Sequence, residues 1–233
     1  MAIALDVSTP AAVWNDSAGT TSLATAAFTA PLNSIVVVKA SNADASQTIG
    51  TPTATGYTFT SRINVGTSGS NCRAAIFTGV GTGVSRAVTV TFASTSQERG
   101  IVVEVWTGAS LAGTPATDSF IASGTGAPSD AITTTGTNSV VTWMSEDFND
   151  ADGTTRTYSP TATETAYHRS AGYAAYQAYQ SAASAGSQTY GISTPSAQKA
   201  TMASLELQDS GGAAPTPQLP IRHMSAIARS ATR

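Results

Sequence analysis

The sequence predicts an all-β protein: an antiparallel, jelly-roll-like β-sandwich followed by an extended C-terminal arm. Three observations predict it. Only 11% of the 233 residues are charged, against about 25% in an ordinary globular domain, with Ala, Ser, Thr and Gly in their place. Glu, Lys, Arg and Leu, on which solvent-exposed helices depend, are therefore scarce. Short runs rich in Val and Thr recur along the chain, and Gly- and Pro-containing turn signals separate them.

Taken in order, the strand-length runs are 2–7, 22–29, 34–40, 54–63, 72–78, 87–93, 100–106, 119–122, 131–134, 139–144, 165–178, 187–192 and 199–207. Ile3, Leu5 and Val7 alternate with period two, as do Val88, Val90 and Phe92 against Thr89 and Thr91, so each set lies on one face of a strand. Met202, Leu205 and Leu207 fall in a closing run. Turn signals include Gly79-Val-Gly81-Thr-Gly83, Gly124-Thr-Gly126-Ala-Pro128 and Asp152-Gly153. This density of short strands and turns reads as a sandwich or barrel. One segment competes: Tyr173, Tyr176 and Tyr179 recur every three residues, which is a helical stripe. The β-propensity of Tyr and the lack of fitting cap residues favour a strand, which would turn Tyr176 away from Tyr173 and Tyr179.

Two internal echoes suggest related halves. Asn33-Ser-Ile-Val-Val37 is similar to Asn138-Ser-Val-Val-Thr142, and Ile76-Phe-Thr-Gly-Val80 to Val105-Trp-Thr-Gly-Ala109. Composition changes near Asp209. All 14 acidic residues and eight of the 11 Lys and Arg lie at or before it, giving that part a formal charge of −6 and the remainder +3. We read residues 1–209 as the sandwich domain, 210–220 as a Gly/Pro linker and 221–233 as a basic, apolar anchor. Leu219, Ile221, Arg222, Met224, Ile227, Arg229 and Arg233 are the candidate partner-binding residues of that arm. A segment this short needs a partner to become ordered.

The residues 138–158, from Asn138-Ser-Val-Val-Thr-Trp-Met to Arg156-Thr-Tyr158, lead to Tyr173-Ala-Ala-Tyr-Gln-Ala-Tyr179, Thr189-Tyr-Gly-Ile192 and Met202-Ala-Ser-Leu-Glu-Leu207. With Ala75-Ile-Phe-Thr78, Val88-Thr-Val-Thr-Phe92 and Val103-Glu-Val-Trp-Thr-Gly108, this pattern resembles β-sandwich structural proteins of tailed bacteriophages, of the minor-tail or virion-accessory type. The resemblance covers roughly residues 20–208 and supplies no catalytic residue. It implies a non-enzymatic virion protein, a minor tail component or a capsid-surface decoration. Its partners would be capsid or tail subunits and further copies of itself. The N-terminal sequence Met1-Ala-Ile-Ala-Leu-Asp-Val7 lacks the basic and apolar regions of a signal peptide. A protein made in the host cytoplasm and carried in the virion fits that start, as does a fragment trimmed of its signal.

Little in the chain points to chemistry. The net charge of −3 gives no nucleic-acid footprint, and no run reaches the ~18 apolar residues of a membrane span. The single cysteine, Cys72, reads as a small buried apolar side chain. His168 and His223 have no nucleophile elbow to serve, and two His with one Cys make a poor zinc set. Glu104 and Glu206 stand isolated in apolar context. No catalytic residue and no cofactor is expected. The loop Glu146–Gly153 is the one candidate for calcium, through Asp147, Asp150 and Asp152, although Ala151 occupies a position where a ligand is needed. A carbohydrate-binding, host-adhesion module is the alternative function. Trp106 and Trp143 sit in apolar runs and are expected in the core, which leaves Trp14, beside Asn15-Asp16, as the candidate glycan contact.

Overall fold

The computed structural model describes residues 2–17, 20–44, 46–66, 72–93, 98–111, 115–122 and 124–211. Among them there is no helix, and the strands are all antiparallel. The first part of the chain contributes β1 (Ala4–Leu5), β2 (Val13–Asn15), β3 (Ser22–Ala24), β4 (Ile35–Asn42), β5 (Thr60–Val65), β6 (Arg73–Val80), β7 (Thr89–Thr91) and β8 (Arg99–Thr107). The second contributes β9 (Ala109–Ser110), β10 (Thr117–Ile121), β11 (Ser129–Thr134), β12 (Ser139–Asp147), β13 (Thr157–Tyr158), β14 (Thr163–Arg169), β15 (Ala174–Ala182), β16 (Gly186–Thr194) and β17 (Ala200–Asp209).

Four layers result. One large sheet has the order β1-β8-β4-β6-β5 with β2 also on β8; the other has the order β10-β17-β12-β15-β14 with β9 also on β17. The two large sheets face each other. The pair β3-β7 covers the outer side of the first, and β11-β16-β13 covers the outer side of the second. Alternation along each strand then assigns side chains to layers. In β4, Val36, Val38 and Ala40 meet Val88, Val90 and Phe92 of the outer cover, while Ile35 and Val37 turn inward to Val140, Met144 and Leu205. In β12, Val141 and Trp143 turn outward to Ile132, Tyr190 and Ile192. A strand covered on both faces needs no polar side. For that reason β4 and β12 are buried along their whole length, their polar residues Lys39, Ser41, Thr142, Ser145 and Glu146 included. Each fully buried Val, Ile or Leu contributes roughly 1.5–3 kcal/mol.

The two parts repeat one arrangement. Strands β1, β2, β3, β4, β5, β6, β7 and β8 correspond in pairing to β9, β10, β11, β12, β14, β15, β16 and β17, with β13 additional. Even the irregularities agree. A β-bulge lies between Ser61 and Ile63 in β5 and between Glu164 and Ala166 in β14, at corresponding registers against β6 and β15. The first sequence echo marks this repeat: Asn33 and Asn138 precede β4 and β12, and both have positive φ, 65° and 53°. Asn tolerates the left-handed region better than other side chains with a Cβ. The second echo pairs β6 with β8, strands that do not correspond, and so has no structural counterpart.

Of the tyrosine stripe, Tyr176 and Tyr179 lie in a strand and Tyr173 immediately precedes it. The single run expected over 165–178 is in fact two strands, β14 and β15, joined by a turn in which Ser170 N–H donates to the Tyr173 carbonyl at 2.9 Å. Tyr173 and Tyr179 belong to the clusters on the inner face, and Tyr176 packs outward beside Trp143.

Candidate functional site

The large sheets do not lie evenly against each other. Strands β6 and β17 approach most closely, because Ala74, Ala203 and Thr201 are small there; the Thr201 hydroxyl donates to the Cys72 carbonyl at 2.7 Å. Toward β8 and β15 the space opens, and large side chains fill it. Trp106 and Tyr179 meet edge-on there, with ring centroids 4.8 Å apart.

A charged pair sits in this space with no solvent exposure. Lys39 Nζ donates to Glu104 Oε1 at 2.6 Å, to the Trp143 carbonyl at 2.9 Å and to the Ala178 carbonyl at 3.5 Å. Glu104 Oε1 also accepts from the Thr165 hydroxyl at 2.8 Å. Its Oε2 accepts from the Thr142 hydroxyl at 2.7 Å and from Trp106 Nε1 at 3.1 Å. Burial lowers the Lys39 pKa, against the opposing pull of Glu104. Beside the pair, Glu146 Oε1 accepts from Gln177 Nε2 at 2.8 Å. Glu146 Oε2, Ser41 Oγ, Tyr173 OH and Gln177 Oε1 are buried without a direct hydrogen-bond partner. Burial holds the Glu146 carboxyl well above the usual range, which favours its neutral form.

The acidic loop divides its carboxylates among separate duties. Asp147 Oδ1 accepts from the Asn149 and Lys199 N–H groups, and Oδ2 from that of Ala151. Desolvation nevertheless raises its pKa. Asp150 and Asp152 both engage Arg169, at 2.8 and 3.5 Å. Hydrogen bonds from the Thr154 side chain and from its N–H keep the Asp152 carboxyl below the ordinary value. Asp150 and Asp152 are thus brought together on a cation, and Asp147 is committed to backbone donors.

Glu206, isolated in sequence, gathers distant backbone. It accepts from the N–H groups of Ala116, Thr135 and Gly136 and from the hydroxyls of Thr135 and Ser139. Burial raises its pKa, but these donors outweigh burial and hold the carboxyl below its ordinary value. Sequence reading missed a carboxyl pair, Asp118 on β10 and Asp130 on β11. Burial, with Asp130 as neighbour, raises the Asp118 pKa, and the Tyr190 hydroxyl reaches Asp118 at 3.3 Å. The only signal for that pair is the topology that places β10 beside β11.

Trp106 and Trp143 are core residues. Trp14 is half-buried. Its ring stacks on His168 with centroids 4.7 Å apart and planes 7° apart, and it packs against Gly100, where a Cβ would overlap it. His168 Nε2 in turn meets Asp16 Oδ1 at 2.7 Å. Trp14 is therefore used to fasten β2 to β8 and β14. A separate groove of about 770 Å³ is lined by uncharged residues including Ser159, Thr161, Thr163, Gln180, Gln188 and Thr189. The arm residues Leu219, Ile221, Arg222, Met224, Ile227, Arg229 and Arg233 lie outside the described residues. Compared with known family models, curated proteins and solved structures, the chain matches none.

Proposed function

We propose that the protein is a non-enzymatic structural component of a bacteriophage particle, a minor tail protein or capsid-surface decoration, attached through its C-terminal segment. The use of the buried acids supports this most directly. Asp147 and Glu206 are each held by several donors that tie strands and loops together, which suits a rigid spacer better than a reaction centre. Exposed apolar side chains add to it. Leu32, Val80 and Val84 are 69%, 51% and 45% exposed. Leu32 borders the same small cleft as Ser210, where the chain leaves β17. That end of the body is the face we assign to the particle. Truncation after Asp209 leaves a folded body that fails to join particles, as read by cryo-electron microscopy and by the protein content of purified virions. Normal incorporation of the truncated chain would sink the anchor.

The uncharged groove carries the second reading, host-glycan adhesion. Hydroxyl and amide side chains with no net charge suit a neutral polyhydroxylated ligand, which favours the groove over Trp14 as the contact in this reading. Glycan-array binding that Thr163→Tyr abolishes supports it, and an array without signal removes it.

A further inference from the structure

The repeat shows what the fold requires at the position of the buried ion pair. By the strand registers, Lys39 of β4 corresponds to Met144 of β12, and Glu104 of β8 to Leu205 of β17. The same place in the same arrangement is filled by an apolar pair in the other half. A buried ion pair is seldom more stable than apolar residues of similar volume, because each ion loses its hydration. The fold therefore has no need of charge at this place.

We propose that Lys39 and Glu104 are a site of self-modification, joined by an amide bond between Nζ and Cδ. The nucleophile and the carboxyl are held in contact at 2.6 Å with no solvent exposure, and fixing the reactants in this way replaces an encounter with a unimolecular step. The carboxyl is polarised from both sides. Thr142 and Trp106 donate to Oε2, the oxygen that carries negative charge when Nζ adds to Cδ, and preorganised donors in a dry site stabilise such charge. Thr165 holds Oε1, the oxygen that leaves.

The atoms balance without another reactant. One ammonium proton passes to Oε1, giving an amine and a carboxylic acid. Nζ adds to Cδ and the C–N bond forms. A second Nζ proton passes to the Oε1 hydroxyl, the Cδ–Oε1 bond breaks and one water departs. The remaining N–H keeps a carbonyl partner at Trp143 or Ala178. Desolvation of Lys39 favours the amine that this sequence needs, and exclusion of water opposes the reverse hydrolysis. The product would tie β4 covalently to β8 at the centre of the first large sheet.

Intact-mass spectrometry of the full-length chain, purified folded and then denatured, tests this directly. The expected mass lies one water below that of the sequence, and proteolysis yields a branched peptide containing Lys39 and Glu104. Lys39→Arg removes the branched peptide and restores the full mass; should that variant not fold, the unaltered chain alone decides. An unaltered chain at its full sequence mass overturns the proposal. So does a water loss that maps to Asp152-Gly153, where succinimide formation gives the same mass change but no branch and reverses in mild alkali.

Discussion

Glu206→Gln changes one atom type at the carboxyl that holds the entrance to β12 against β17. The wild-type carboxylate accepts from three backbone N–H groups and two hydroxyls. Gln keeps one acceptor oxygen and turns an NH₂ toward two backbone N–H groups, which have no lone pair to offer, and one hydroxyl, which can turn to accept. At least two charge-assisted bonds are lost, at about 1.5–3 kcal/mol each, and partial rehydration of the loop offsets some of this. A destabilisation of about 2–4 kcal/mol is expected at neutral pH, measured by urea unfolding followed through tryptophan fluorescence. The pH dependence supplies a second check. The folded-state pKa of Glu206 is depressed from 4.5. Its stabilisation is therefore complete above the unfolded-state value and is lost as pH falls through the folded one. The gap between wild type and variant should narrow over that acidic range. A difference under about 0.5 kcal/mol at neutral pH, the size of an ordinary surface substitution, would refute the reasoning, as would a gap that does not respond to acid.

Trp143→Ala empties the space between the second large sheet and its outer cover and should cost about 3–5 kcal/mol by the same unfolding measurement. Gly100→Ala forces the Trp14 ring off its seat, so the stack on His168 opens. A loss of about 1–3 kcal/mol should accompany a changed near-ultraviolet circular dichroism spectrum. At the left-handed turn before β12, Asn138→Val should cost about 1–2 kcal/mol while Asn138→Gly leaves stability nearly unchanged, which thermal unfolding can read. Added calcium should leave the melting temperature where it is, because Asp147 is committed to backbone donors and Asp150 and Asp152 to Arg169; a concentration-dependent rise would expose a site.

The strands were legible in the sequence where two apolar faces or strict alternation marked them. The runs at 34–40, 72–78, 100–106, 139–144 and 199–207 lie within or largely overlap β4, β6, β8, β12 and β17. Short strands such as β2, β9 and β13 were missed because two or three residues hold no period. The turn at Ser170–Tyr173 was hidden because its residues blend into the apolar run that follows. The Asn33 and Asn138 echo pointed to the repeat, since a backbone demand for positive φ leaves a residue-level trace. The pairing of Lys39 with Glu104 left none. The two residues are 65 positions apart, Glu104 looked isolated, and only the strand registers bring them together. Trp14 looked exposed beside Asn15 and Asp16. Its partners, Gly100 and His168, come from β8 and β14, which are distant in sequence.

The uneven packing of the large sheets has a consequence for what this chain can encode. A homodimer of two single-repeat chains, closed by a two-fold axis, makes every contact twice. Here β6 meets β17 closely, while the corresponding couple, β8 and β15, stands apart around Lys39 and Glu104. Covalent fusion of the repeats removes the obligation to symmetry. One copy of a side-chain constellation can then arise at the seam, with its counterpart free to remain apolar, as Met144 and Leu205 are.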